Sequence, residues 1–230
     1  MRSSVLLLLA LSTSALPAQN PAIQKQLADF KQSLAANQQA RRQYTWLEST
    51  QIAYQGAVKT TKLSDCSYVG ANPKPTCTEL TLQQAPLSGG FIRKHIEEKK
   101  RAELQAYMDS VRTLIGEYVP LNSALIDKAY QSGNVWVSTD PVAGTDKITI
   151  KNYRQSGDSV TITLTAATKK LQWVNVGTWL NQKSATVAFS VQFAALPNGV
   201  SYAARKNLTA AAAGVAVTVT SSDFAEAVRP

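Results

Sequence analysis

Few residues in this chain could do more than pack. His95 is the sole histidine in 230 residues. A histidine-based metal site is therefore excluded, and a Ser-His-Asp triad would have to be built on that one ring. It stands among Arg93, Lys94, Glu97 and Glu98, a run that reads as the solvated face of a helix. Glu97 and Glu98 are neighbours, and on a helix their side chains diverge by about 100° and do not converge on a substrate. Glu48 falls beside Trp46 and Thr50 on an aromatic row. It is either an acid held at the rim or a buried one with a raised pKa. Asp140, Asp146 and Asp158 fall in loop-like stretches whose spacing matches no calcium loop. No Gly-rich phosphate loop is present. These residues assemble no catalytic constellation, so the reading is non-enzymatic, with no cofactor and no metal. A cleft of acids converging on Glu48 would revive an enzyme.

Two other sets carry information. Cys66 and Cys77 enclose ten residues that include Pro73 and Pro75. Outside the cytoplasm such a pair closes into a disulfide. The alternative, a metal-binding pair, lacks further thiols. Trp46, Trp173, Trp179, Phe189 and Phe193 form the candidate ligand-binding set. They either line an apolar cavity or pack a filled core. The same residue types serve both, and the discriminating quantity is a cavity of a few hundred Å3, the usual scale of ligand pockets.

These residues need elements to hold them. From Asp146 to Ser221 the chain reads as six strands: Lys147–Tyr153, Ser159–Ala166, Leu171–Leu180, Thr186–Ala194, Ser201–Thr209 and Val215–Ser221. Val160, Ile162 and Leu164 alternate with Thr161 and Thr163; Val187, Phe189, Val191 and Phe193 form another row, and Val215, Val217 and Val219 a third. Period-2 patterning gives a sheet with one buried and one wetter face. Short connections such as Ser156–Gly157–Asp158 and Pro197–Asn198–Gly199 make it an antiparallel meander. Leu171–Leu180 is apolar in both rows: Leu171, Trp173 and Trp179 face one way, Val174, Val176 and Leu180 the other.

Upstream, Ile23, Leu27, Phe30 and Leu34 give Pro21–Arg41 one apolar stripe, a helix that covers a sheet face. Tyr44–Tyr54 and Val58–Tyr68 are strands joined at Gln55–Gly56. Residues 70–90, with Pro73, Pro75, Pro86 and Gly89–Gly90, read as irregular. A long helix over Phe91–Tyr118 and a short one over Ser123–Gln131, capped by Asn122, form an insertion at about 91–131, and Val135–Val137 reads as a short strand.

Residues 1–18 read as a signal peptide: Arg2, an apolar run from Val5 to Leu11, then small residues with cleavage after Ala18 or Ala15. That run is too short to span a bilayer. No cysteine lies at the cleavage region, so a lipid-anchored N-terminus is not expected. The remaining 19–230 read as a single domain, periplasmic or secreted. There are 24 Lys and Arg against 15 Asp and Glu, a net charge of +9, which favours an anionic membrane surface or simple solubility. No basic run interleaves with aromatics, so nucleic acid is not expected as a partner.

Lys151–Asn152–Tyr153, Ser156–Gly157–Asp158–Ser159–Val160–Thr161, Val174–Asn175–Val176–Gly177–Thr178–Trp179–Leu180, Leu196–Pro197–Asn198–Gly199–Val200–Ser201–Tyr202 and Ser222–Asp223–Phe224 resemble segments of a group of secreted bacterial proteins of unknown function. The order of elements and the last strands also resemble the LolA/LolB-like lipoprotein carriers and outer-membrane lipoprotein-sorting proteins. That resemblance implies a curled, unclosed antiparallel barrel with helices on its concave side and an apolar cavity for lipid or lipoprotein acyl chains. It transfers no site residue by position. The expectation is thus an α+β protein. Its curved half-barrel sheet has about eight or nine strands, with an N-terminal helix and a helical insertion on one face. It serves either as a carrier for a lipid-like ligand or as an envelope interaction module with a packed core.

Overall fold

A computed structural model describes residues 21–70, 74–84 and 91–227, and the side chains of all of these except 22, 23, 26, 33 and 91–97. The expected signal peptide at 1–18, the His95 side chain and the turn residues Pro73, Pro86, Gly89 and Gly90 lie outside the described residues. In chain order the elements are α1 Pro21–Arg41, β1 Tyr44–Tyr54, β2 Ala57–Ser67, β3 Thr76–Gln84, α2 Phe91–Gly116, α3 Ser123–Gln131, β4 Val135–Asp140, β5 Thr145–Lys151, β6 Ser159–Thr165, β7 Leu171–Trp179, β8 Thr186–Ala195, β9 Ser201–Ala210 and β10 Val215–Glu226.

All ten strands join one antiparallel sheet in the order β3-β2-β1-β10-β9-β8-β7-β6-β5-β4. It is unclosed, with β3 and β4 as its edges. The meander and the leading hairpin are one sheet because the first strand pairs with the last, with Ile52 opposite Val217 and Tyr54 opposite Val215. Register shifts interrupt this pairing between Thr45 and Leu47, and the β8–β9 pairing between Gln192 and Phe193. Bulges of this kind bend a sheet into a curl.

Among the described residues the strand count is ten, not eight or nine. The additional strand is β3, within the stretch that reads as irregular. Its Thr and Leu residues pair along β2, from Thr60 opposite Gln84 to Ser67 opposite Thr76. Every residue of β3 is exposed, so it carries no one-sided apolar alternation to mark it as a strand.

The three helices supply one face of the core. Leu27 and Phe30 of α1, Val111 and Leu114 of α2, and Ile126 and Ala129 of α3 are buried with Ile148, Ile150, Val160, Ile162, Val174, Val176, Val187 and Val191 of the sheet. The helix starts follow local chemistry. The Asn122 side chain accepts from the Ala124 and Leu125 amides and caps α3. In α2 the stripe Leu104, Tyr107, Met108, Val111, Leu114 and Ile115 packs on the core at helical spacing, and Tyr118 continues it.

Candidate functional site

The helix-covered face of the sheet changes character across its width. One row runs Val135, Ile150, Val160, Val176, Phe189, Leu208, Val217, Ile52, Thr60, Gln84 from one edge to the other. The next runs Val137, Ile148, Ile162, Val174, Val191, Lys206, Val219, Thr50, Lys62, Leu82. From β5 to β8 every residue of both rows is buried. From β10 onward none is fully buried, and at the β3 edge Leu82 is 44% exposed.

Where α1 meets the buried half, little space is left. The pocket between α1 and the sheet, lined by Asp29, Phe30, Asp146, Ile148, Leu164 and Lys169, holds about 20 Å3. That is room for one water, not for an acyl chain.

The open half is amphipathic. Ile52, Val217 and Val219 share it with two ion pairs, Lys206 to Glu48 at 2.7 Å and Lys62 to Glu79 at 3.0 Å. The Glu48 side chain is 18% exposed and paired. It faces Ser64 on one side and Ser221 on the other. No second acid converges on it from these strands; Glu79 lies one strand further, engaged by Lys62. On α2, residues 98–103 are all exposed, and the Arg101 guanidinium donates to the Gln84 side chain at 3.3 Å. This segment of α2 therefore does not seal the open half.

The five aromatic candidates do not form one site. Phe189 and Phe193 lie on the helix-covered face with the core. Trp173 and Trp179 project from β7 on the opposite face, since Val174, Val176 and Thr178 between them are buried. Trp46 belongs to a separate cluster. Its ring stacks on Phe224 at 5.7 Å, tilts against Tyr68 at 5.5 Å, and Phe224 in turn meets Tyr202 at 4.2 Å. The Arg41 guanidinium lies 5.8 Å over the Tyr68 ring, which ties the end of α1 to this cluster.

Cys66 and Cys77 are disulfide-bonded across β2 and β3, with Cα atoms 4.1 Å apart. Among the described residues, the one group of metal-ligating type is Glu48, Cys66 and Cys77. Its two sulfurs are consumed by the bridge.

The carboxylates near the far end of the sheet are structural. Asp158 is buried rather than looped out. Its Oδ2 accepts from the Tyr118 hydroxyl at 2.6 Å and from the Arg154 and Gln155 amides at 3.0 and 2.9 Å. Burial and the Asp158 carboxylate together push the Tyr118 phenol well above its ordinary range. The Thr178 hydroxyl lies 2.8 Å from the Tyr118 hydroxyl, and Gln155 donates to Thr178 at 2.8 Å. Asp146, buried at the start of β5, accepts from Lys169 and from the Thr139 hydroxyl, and these hold its carboxyl below the usual carboxylate range. Asp140 accepts from the Val142 and Ala143 amides in the turn after β4. The Tyr118–Asp158 network carries no sequence motif. Asp158 in a Ser-Gly-Asp turn signals the turn and not its partner.

No helix among the described residues is long and apolar enough to cross a membrane. No family model matches the chain, and no curated protein matches it in sequence. Two solved structures are similar to it. A DUF1329 family protein from Desulfovibrio piger aligns with a TM-score of 0.44 and 7% identity, over 92% of this chain and 95% of that one. A LolA superfamily protein from Nitrosomonas europaea aligns with a TM-score of 0.35 and 9% identity, over 86% of this chain and 94% of that one.

Proposed function

We propose that this chain is a non-enzymatic binding module that acts outside the cytoplasm and docks an amphiphile on the open half of its helix-covered sheet face. The observation that carries this reading is the change along the two rows. An apolar surface that is sealed over β5–β8 continues unsealed onto Val217, Val219 and Ile52, where Lys206, Glu48, Lys62 and Glu79 supply polar company. Acyl carbons would lie against the valines and Ile52, and a headgroup against the charged residues. The exposed 98–103 segment of α2 would move onto the ligand as its cover. The Cys66–Cys77 bridge supports an oxidising compartment.

The small internal volume supports a second reading, in which the filled core merely frames an interaction surface and no lipid is carried. Native mass spectrometry of the purified protein, followed by organic extraction, separates the two. A discrete extra mass that extracts as lipid, and that is reduced in Ile52→Asp but not in Trp173→Ala, is the expected result. A bare polypeptide mass in every preparation overturns the amphiphile reading in favour of the interaction module.

A further inference from the structure

The face of the sheet opposite the helices carries a groove of about 210 Å3 across β6 to β9. Thr161, Asn175, Ser190 and Asn207 face one another across it in successive register pairs, with Ser159, Gly177, Ala188 and Thr209 in the adjoining row. We propose that this groove binds a neutral polysaccharide chain, with Trp173 and Trp179 as stacking platforms at its two ends.

Three observations converge. First, none of the residues lining the groove bears a charge, although the chain as a whole carries +9. The lining is matched to a neutral ligand, and the Arg205 guanidinium at its rim is engaged by the Asn207 side chain. Secondly, its polar groups are available. Thr161, Asn175 and Ser190 make no side-chain hydrogen bond to the described residues. The Asn207 carbonyl oxygen is held by the Arg205 guanidinium and the Thr218 hydroxyl, both at 3.2 Å, which leaves its NH2 to donate. An amide offers a donor and an acceptor side by side, the pattern that vicinal sugar hydroxyls answer. Thirdly, alternation along β7 puts Trp173 two residues before Asn175 and Trp179 two residues after Gly177, on the same face. At about 3.3 Å per residue each indole stands about 7 Å beyond its end of the groove. Both are half-buried, and the Trp179 indole N–H donates to the Ser156 carbonyl at 3.4 Å, which orients its ring. The apolar faces of sugar rings stack on such rings, while a lipid or a peptide helix would find no apolar stripe here.

Gly177 makes the floor of the groove. A Cβ built there meets only the Ser159 hydroxyl, at 3.4 Å, so a larger side chain fills the groove without straining the strand. The test is titration of the purified protein with cellotetraose, chitotetraose and maltotetraose, with tetragalacturonate as the anionic control, followed by tryptophan fluorescence and by amide shifts of β6–β9. At least one neutral saccharide is expected to bind saturably. Gly177→Val, and the Trp173→Ala/Trp179→Ala pair, should each weaken it by at least about tenfold with the circular dichroism unchanged. Asn175→Ala is the substitute should either variant fail to fold. Absence of saturable binding by all three neutral saccharides overturns the proposal, as does binding that survives Gly177→Val or that is matched by the galacturonate. The amphiphile reading concerns the other face and stands or falls separately.

Discussion

The Tyr118 hydroxyl donates to the Oδ2 of Asp158 at 2.6 Å, forty residues away in sequence and fully buried. This bond fastens the end of α2 to the turn that opens β6. Tyr118→Phe keeps the ring and deletes the donor to a buried carboxylate. Hydrogen bonds to charged groups are worth about 1.5–3 kcal/mol, and a loss of about that size is expected in urea denaturation, with α2 the first element to lose amide-exchange protection.

The same phenol sets an alkaline limit. Its folded-state pKa lies above the ordinary tyrosine value, as do those of Tyr107 and Tyr153, in each case chiefly through burial. The unfolded chain therefore ionises first. Stability from these groups is fully present below about pH 10 and falls as pH rises beyond it. Stability profiles of Tyr118→Phe should show a shallower alkaline limb than the parent; identical limbs would remove Tyr118 as its source.

Asp146 acts at the other end of the scale. Lys169 and Thr139 hold its folded-state pKa below the unfolded value, so its contribution is present above about pH 4 and is lost as pH falls further. Asp146→Asn should cost stability at neutral pH and flatten the acid limb, as read from denaturation midpoints between pH 2 and 7, or roughly that span.

Trp173 of β7 and Phe189 of β8 lie on neighbouring strands but on opposite faces. Phe189→Ala empties a buried site and should cost about 3–5 kcal/mol. Trp173→Ala, on the helix-free face, should cost about 1 kcal/mol. Equal losses would contradict the assignment of the faces.

Reduction of Cys66–Cys77 should act locally. The bridge closes a loop of eleven residues' separation, for which chain entropy gives roughly 2–3 kcal/mol. Because β3 has β2 as its single strand partner, hydrogen exchange should accelerate in β3 while β5–β8 keep their protection.

Sequence and structure agree most closely where the structure is local. Pro21–Arg41 and Ser123–Gln131 have the bounds that their apolar stripe and Asn122 cap imply. The six strands of the meander follow from strand-forming residues bounded by turns, with Thr145–Lys151 set two residues earlier than the expected Lys147–Tyr153. Thr76–Gln84 was not legible, because an edge strand exposed on both faces has no periodicity to read. The scattering of Trp46, Trp173 and Phe189 over three environments was half legible. Alternation separates Trp173 from Val174, but which row meets the helices depends on long-range pairing. Tyr118 with Asp158, Lys206 with Glu48 and Trp46 with Phe224 are brought together by sheet order, and no spacing encodes them.

The pairing of β1 with β10 also bears on the order in which the molecule can be built. Ser49 waits for Thr220 and Tyr44 for Glu226, so a chain emerging N-terminus first has no place for its leading hairpin until its last strand is made. Only then can β1–β3 join the sheet, after a closure that spans nearly the whole polypeptide. Such non-local closures are slow to form. Until then β1–β3 have only one another to pair with, and a chain cut short after Ala210 would keep its meander but lose the strand to which the hairpin docks.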